Sequence, residues 1–356
     1  MARFNQALLP LCSCLRGEIP PRPDWEAIIA LANQTLTTPS LMGLVRSHRP
    51  ELPHDMVSYV QELHDRNTIR NDRLSVQLEE TTFSLNRVGI VPLLIKGSAI
   101  LASSSPSDRA MRLMSDLDLI VHPDEIDAAM KALRTIGYRV DTLSDGPQTK
   151  WYADLKRPSD VGMIDLHQAF PGYAFLSPAL DDLRSHLQPI RLGTAAAVVP
   201  SPELQALVLM MHDQFQDYDY WTGSIDLRHL LDLRLLIAGD GGFRRDVLMK
   251  IASSPLSRNA METQLLLLTR LLGVHWPAHC PIRLVPKLQV RRRLLQARFP
   301  PARYCLLPMG LLDYRSRHRT PTRLSVLGRR SRRWFPKLST LRFLISLSRR
   351  HRAGKI

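Results

Sequence analysis

Asp116 and Asp118 stand two residues apart at the opening of the apolar run Leu117 to Val121, and Lys96-Gly97-Ser98 closes an earlier apolar run, Val91 to Ile95. Residues two apart on a strand project from the same face. Two carboxylates are therefore held side by side while Leu117 and Leu119 point the other way. Such a pair repels itself and is costly to bury without a counter-charge. A divalent cation that prefers hard oxygen ligands answers that need, and Mg²⁺ also keeps waters that substrate phosphates replace. At a strand-to-helix turn, Gly97 lets the backbone come close to a ligand, and the free N–H groups of the helix start attract an anion together with the Ser98 hydroxyl. These residue types at this spacing suit the handling of a metal-bound triphosphate.

A third acid strengthens the reading. In Val161-Gly162-Met163-Ile164-Asp165-Leu166-His167, Asp165 interrupts another short apolar run. Three carboxylates on neighbouring strands are able to hold two metals about 3.5–4 Å apart, the arrangement used for in-line phosphoryl or nucleotidyl transfer. Asp154 and Asp160 lie close enough in sequence to compete for the third place, and Asp165 is preferred because only it sits inside a strand-like run. Each feature taken alone has a plainer explanation, an Asp-x-Asp pair as a solvated strand edge and a Gly-Ser as an ordinary turn. It is the combination that points to a site. Neither a Gly-x-x-x-x-Gly-Lys-Ser/Thr loop nor a Gly-x-Gly-x-x-Gly turn after a strand occurs in the chain, so Lys96 is not the lysine of such a loop.

The pattern Gly-Ser, then Asp-x-Asp, then a single Asp resembles the nucleotidyltransferase superfamily related to polymerase beta. More narrowly, LLIKGSAILA, RLMSDLDLIV, a helix ending in Gly137-Tyr138, and IDLH are similar to the family of uncharacterised nucleotidyltransferases. The likeness is clearest from about Gly89 to His167. It implies that Asp116, Asp118 and Asp165 are metal ligands, that Asp165 is also a candidate base for an acceptor hydroxyl, and that Gly97 and Ser98 hold the β and γ phosphates. It implies two Mg²⁺ ions, with Mn²⁺ as the alternative, and a nucleoside triphosphate as substrate. The family also tends to carry an arginine where Arg112 stands. Arg112 suits either a pairing with Asp116 or a phosphate contact, and Lys96 either a phosphate contact or a cap on the strand end.

Around this stretch the pattern is mostly helical. Trp25, Ile28, Ile29, Leu31 and Ala32 recur at helix-face spacing after Asp24, a suitable N-cap. A long helix is expected from Met56 to Leu85, with Val60, Leu63, Leu74, Leu78 and Phe83 inward, as a packing element for the sheet. Ser103 to Arg109 reads as a mobile loop, a helix starts at Pro123 and ends at Gly137, and Tyr138 to Leu143 reads as a strand. The segment Ser144 to Pro158 reads as a loop whose Trp151 and Tyr152 either stack on a base or pack in the core. His167 is read first as a structural histidine. Beyond Pro202 amphipathic helices follow. One of them, from Ile225 to Ile237, carries Asp226, His229 and Asp232 on what reads as a charged outer face, while the family resemblance alone suggests His212 and Asp232 for a nucleotide cleft.

The chain has 356 residues with 44% hydrophobic and 23% charged, enough for two or three domains. The expected organisation is a helical region over 1–88, an α/β or α+β catalytic domain over 89–200, a second helical region over 201–280, and a basic extension over 281–356. Of 48 Lys plus Arg, 21 fall in the last part, beside one acid, Asp313. Everything before it is net negative. Such a segment suits nucleic-acid phosphates or an anionic membrane surface. No run reaches the roughly 18 uncharged apolar residues that a membrane span needs, and the four scattered cysteines fit reduced thiols. A cytoplasmic protein is therefore expected. The function expected is metal-dependent transfer of a nucleoside monophosphate to an acceptor hydroxyl, with RNA, a protein side chain and a small sugar or antibiotic as acceptor classes. The alternative is a non-catalytic nucleotide-sensing or nucleic-acid-binding protein that works through 281–356.

Overall fold

Alternation of carboxylates with leucines and isoleucines makes Asp116–Ile120 and Met163–His167 two-faced strands, one face for the core and one for chemistry. The computed structural model places them next to each other at the middle of a sheet. It describes residues 6–143, 151–170, 183–239, 243–252, 254–275, 282–310, 342, 346 and 354–356.

In chain order, helices α1 (Leu8–Leu15), α2 (Trp25–Gln34) and α3 (Met42–His48) lead to the long α4 (His54–Asn86). Next come β1 (Leu93–Leu94), α5 (Lys96–Ser103), α6 (Pro106–Met111), β2 (Asp116–Ile120), α7 (Ile126–Thr135), β3 (Arg139–Leu143), β4 (Trp151–Lys156) and β5 (Met163–His167). The hairpin β6 (Leu187–Leu192) and β7 (Ala195–Pro200) precedes α8 (Pro202–Met211). Helices α9 (Leu227–Ala238), α10 (Arg245–Ile251), α11 (Pro255–Leu272), α12 (Leu284–Arg298) and α13 (Ala302–Gly310) follow. Among the described residues no helix is long and apolar enough to cross a membrane.

The described residues within Gln61–Pro171 and Ala179–Val208 form one compact unit, here the sheet unit. Those within Met1–Val60 and Leu209–Ile356 form the other, the helical unit. The sheet has seven strands in the order β3-β4-β5-β2-β1-β7-β6. It is mixed: β2 runs parallel to β5 and β1 parallel to β7, and the other neighbours are antiparallel. The core face of the central strands buries Leu117, Leu119, Ile164, Leu166, Ala153 and Leu155 against Leu74, Leu78 and Leu85 of α4 and Ala129, Met130 and Leu133 of α7. This is the mixed α/β architecture expected of the sequence.

Several local expectations need correction. Ser144 to Pro158 is not loop throughout, because β4 forms between β3 and β5, with Ala153 and Leu155 alternating into the core. Tyr152 packs against that core, and the Trp151 side chain lies outside the described residues. The serine-rich stretch after Ser103 contains α6, whose start is capped by the Ser105 side chain accepting from the Asp108 N–H. Phe83 is 48% exposed rather than inward: five residues past Leu78, it lies about 140° around the helix from the buried stripe. Asp226, His229 and Asp232 are buried, not on an outer face. In the basic segment, Arg292 and Arg293 are buried within the helical unit. Arg292 donates to the carbonyls of Trp221 and Tyr220, at 2.9 and 2.8 Å. The rest of 311–353, apart from residues 342 and 346, lies outside the described residues. Cys12 and Cys14 are free and buried, and burial pushes both thiols up to about 12, which leaves them unreactive.

Candidate active site on the central strands

Register brings the acids together. β2 and β5 pair in parallel with Asp118 opposite Asp165, and β5 and β4 pair antiparallel with Asp154 opposite Asp165. Asp116 shares the Asp118 face by alternation. Four carboxylates thus occupy one patch of one sheet face, and His167, two residues beyond Asp165, joins them. Its Nε2 lies 3.0 Å from Asp118 Oδ1. Ligand-capable atoms of Asp118, Asp165 and His167 all fall within 4.8 Å of one another. Asp160, a rival for the third place in sequence, is held elsewhere: it accepts from the Tyr138 hydroxyl at 2.6 Å and from Arg157. Asp154 is the closer neighbour, directly across from Asp165.

Lys96, Gly97 and Ser98, expected at a phosphate turn, also sit here. Ile95 N–H donates to the Asp118 carbonyl, which fixes the end of β1 against β2 and starts α5 beside the carboxylates. Lys96 adopts a left-handed backbone, φ 47°, an uncommon conformation for a residue with a side chain. From there Lys96 Nζ donates to Asp118 Oδ1 at 2.6 Å, within a largely buried pair. Ser98 is fully buried and its hydroxyl has no hydrogen-bond partner. His167 Nδ1 is likewise buried and unpartnered. Gly97 lies under Arg112: a Cβ there would meet Arg112 Nη1 at 3.0 Å. Arg109, which also leads into β2, instead donates to the Ser75 hydroxyl.

Charge on this face is unevenly shared. Burial would raise the Asp118 carboxyl, but Lys96 and His167 outweigh it and hold Asp118 well below the usual carboxylate range. Burial would likewise lower the Lys96 ammonium, and Asp118, then Asp116 and Asp165, hold it above its ordinary value. At Asp165 the balance runs the other way. Burial, repulsion from Asp118, Asp116 and Asp154, and a hydrogen bond with Asp154 push it up to about 8. The described partners neutralise one carboxylate of the group and leave another short of positive charge, which is the condition a divalent cation relieves.

Sequence reasoning treated α4 as apolar packing and missed its polar grip on the site. Asn67 Nδ2 donates to the carbonyls of Ala110 and Arg112, and Asn71 Nδ2 to those of Arg109 and Arg112, at 2.6–3.0 Å. Arg70 bridges Met114 and Val161 carbonyls, at 2.9 and 2.7 Å, and Gln77 donates to the Gly162 carbonyl at 2.8 Å. These four side chains hold the segments that lead into β2 and β5, and so set where Asp116, Asp118 and Asp165 emerge. The available signal was the run of amides and Arg70 on a helix that periodicity already buries. Gly162 has its own reason: a Cβ there would meet Leu74 at 2.6 Å and the Ser115 carbonyl at 3.0 Å. His212 and Asp232 belong to the helical unit, where the His212 ring lies edge-on to His229, with centroids 6.2 Å apart.

The sequence profile of the family described as uncharacterised nucleotidyltransferase matches residues 21–273. No curated protein matches the chain.

Proposed function

The chain belongs to the uncharacterised nucleotidyltransferase family, and from that premise we propose that it moves a nucleoside monophosphate from a nucleoside triphosphate to an acceptor hydroxyl. The observation that carries the proposal is the meeting, on one sheet face, of an undercompensated group of carboxylates with the Lys96-Gly97-Ser98 turn and its unpartnered buried hydroxyl. An orphaned polar group is costly to keep buried unless a ligand completes it.

The donor set fits a divalent cation: hard carboxylate oxygens on two adjacent strands, with an imidazole beside them. In this reading Asp116, Asp118 and Asp165 hold Mg²⁺, or Mn²⁺ in its place, whose chemistry is to neutralise the triphosphate and ease in-line displacement at phosphorus. The chain's own groups do the rest. Gly97 and Ser98 receive the distal phosphates at the start of α5, with Ser98 Oγ donating its proton to an oxygen. Lys96 and Arg112 offset their charge. Asp165 takes the proton from the acceptor hydroxyl as the oxygen–phosphorus bond forms and pyrophosphate leaves. His167 orients Asp118 through Nε2.

The Lys96 ammonium on Asp118 is the observation that favours a second reading, in which the fold senses nucleotide without transferring it and 281–356 supplies nucleic-acid binding. One experiment separates the two. Each α-labelled nucleoside triphosphate is incubated with Mg²⁺ and RNA, protein or small-molecule extract, beside Asp116→Asn/Asp118→Asn. Label retained in one fraction by the wild type alone is the expected result and names the acceptor class. A folded protein that labels nothing and still binds nucleotide or RNA supports the second reading.

A further inference from the structure

A second concentration of acids lies in the helical unit. The chain between α8 and α9 makes a π-helical turn over His212–Gln216, passes through Tyr218 in the left-handed region at φ 65°, and reaches Asp226 as the N-cap of α9. The side chains of Asp213, Asp217, Asp219 and Asp226 turn towards one point. Lys355 occupies that point. Its Nζ lies 2.6 Å from Asp213 Oδ1, 2.6 Å from Asp219 Oδ2, 3.1 Å from Asp217 Oδ2 and 3.1 Å from Asp226 Oδ2. Asp213, Asp219 and Asp226 are each almost wholly buried. His229 Nδ1 adds a nitrogen 3.2 Å from Asp213 Oδ1.

Lys355 arrives on a short strand-like segment. The backbones of Ile225 and Ile356 exchange both hydrogen bonds, at 3.1 and 3.0 Å, and Gly354 N–H donates to the Gln34 carbonyl at 2.8 Å. An ammonium has three N–H donors, however, and four carboxylates surround this one. The count falls short: Asp219 Oδ1 is buried without a hydrogen bond, and Asp226 Oδ2 meets the ammonium only as an ion pair. Gln214 and Gln264 both donate to Asp213 Oδ2, so the cage wall is fixed from behind, and Arg293 holds Gln214 in turn. A spherical cation has no donor limit. Ca²⁺ takes about six to eight oxygens at about 2.3–2.6 Å, and the ligand-capable atoms of Asp213, Asp217 and Asp219, and of Asp213, Asp226 and His229, already lie within 4.8 Å of one another.

We propose that this cage is a cation site with two alternative occupants, the Lys355 ammonium and an oxygen-preferring divalent cation of the Ca²⁺ class, so that binding of the cation releases residues 354–356. No bond is made or broken: one cation replaces another on the same carboxylates. Nothing in the proposal depends on the transfer reaction, because every residue in it belongs to the helical unit.

The test counts bound Ca²⁺ by equilibrium dialysis in the full chain, in Lys355→Met, and in Asp213→Asn/Asp226→Asn/Lys355→Met. Lys355→Met should take up one Ca²⁺ more than the triple variant, and the wild type should take up the same ion at least tenfold more weakly. In the wild type, saturating Ca²⁺ should speed amide exchange at Ile356 and Ile225. A folded Lys355→Met that binds no more Ca²⁺ than the triple variant, or exchange at Ile356 that Ca²⁺ leaves unchanged, overturns the proposal and makes the cage a fixed charge network. If Lys355→Met is unfolded without cation, recovery of its native circular dichroism on adding Ca²⁺ supports the proposal, and failure to recover counts against it.

Discussion

Each unit buries a lysine against aspartates, and the two arrangements differ in how many carboxylates the lysine meets. In the sheet unit Lys96 meets one carboxylate, Asp118, while Asp165 stays undercompensated and the Ser98 hydroxyl and His167 Nδ1 stay unpartnered. In the helical unit Lys355 meets four carboxylates at once, and the ammonium, drawn down by burial, is held well above its ordinary value by Asp213, Asp219, Asp226 and Asp217. In the proposed reading the first arrangement takes a further cation and its anionic partner. The second already holds a cation supplied by the chain itself. Acidic clustering alone therefore does not mark a catalytic metal site. On the sheet face the acids stand beside an unpartnered hydroxyl, Ser98 Oγ, and an unpartnered imidazole nitrogen, His167 Nδ1.

The sharpest break of this comparison is in turnover. Asp118→Asn should lower nucleotidyl transfer by about 10³-fold, since it removes both a proposed cation ligand and the partner of Lys96 and His167, and steady-state rates on the identified acceptor would check it. In the absence of divalent cations, Lys355→Met should destabilise the chain by about 3–5 kcal/mol, the usual effect of removing one partner from buried charges, read by urea unfolding. Gly162→Ala should cost about 1–3 kcal/mol, because its Cβ overlaps Leu74 and the Ser115 carbonyl next to Asp116, and a lower midpoint in the same assay would show it.

The raised Asp165 carboxyl gives a dependence on pH. Folded, it keeps its proton up to about 8, against an ordinary value of 3.8, so between those values the native state binds the extra proton. Its contribution is fully present below about pH 4 and is lost as pH rises towards 8. Thermal midpoints of the metal-free wild type should carry this fall, and Asp165→Asn should remove it. Saturating Mg²⁺ should flatten the wild-type profile, because the cation takes the place of the proton. The smallest effect belongs to Phe83→Ser, within about 0.5 kcal/mol for an exposed position; a larger loss would restore the inward placement that periodicity suggested.

The two regions were unequally legible. The carboxylates of the sheet face follow a two-residue period within short apolar runs, which makes both runs legible as strands, whereas the parallel pairing that sets Asp118 opposite Asp165 is fixed by the topology and not by the period. Lys96-Gly97-Ser98 was legible as a turn because an apolar run stops there. β4 was hidden, since its alternation includes Asp154 and follows a polar stretch, and with it the fourth carboxylate opposite Asp165. The grip of Asn67, Arg70, Asn71 and Gln77 was hidden for another reason: amphipathic periodicity counts buried amides as solvent-facing, whereas these amides bury themselves by satisfying carbonyls of the segments before β2 and β5. The helical cage draws on a π-helical turn, a left-handed Tyr218, a helix cap and a lysine more than a hundred residues downstream. No local pattern joins these, and a lysine within a basic segment reads as one more surface charge.

The proposed binding of a metal-bound triphosphate is to the sheet face and not to the cage. It is tested most directly by calorimetric titration of a nucleoside triphosphate analogue that resists cleavage between the α and β phosphates, with and without Mg²⁺, into wild type, Asp118→Asn and Ser98→Ala. One analogue should bind per chain, binding should require Mg²⁺, and both variants should weaken it. Binding of equal strength without Mg²⁺ and in Asp118→Asn would contradict it.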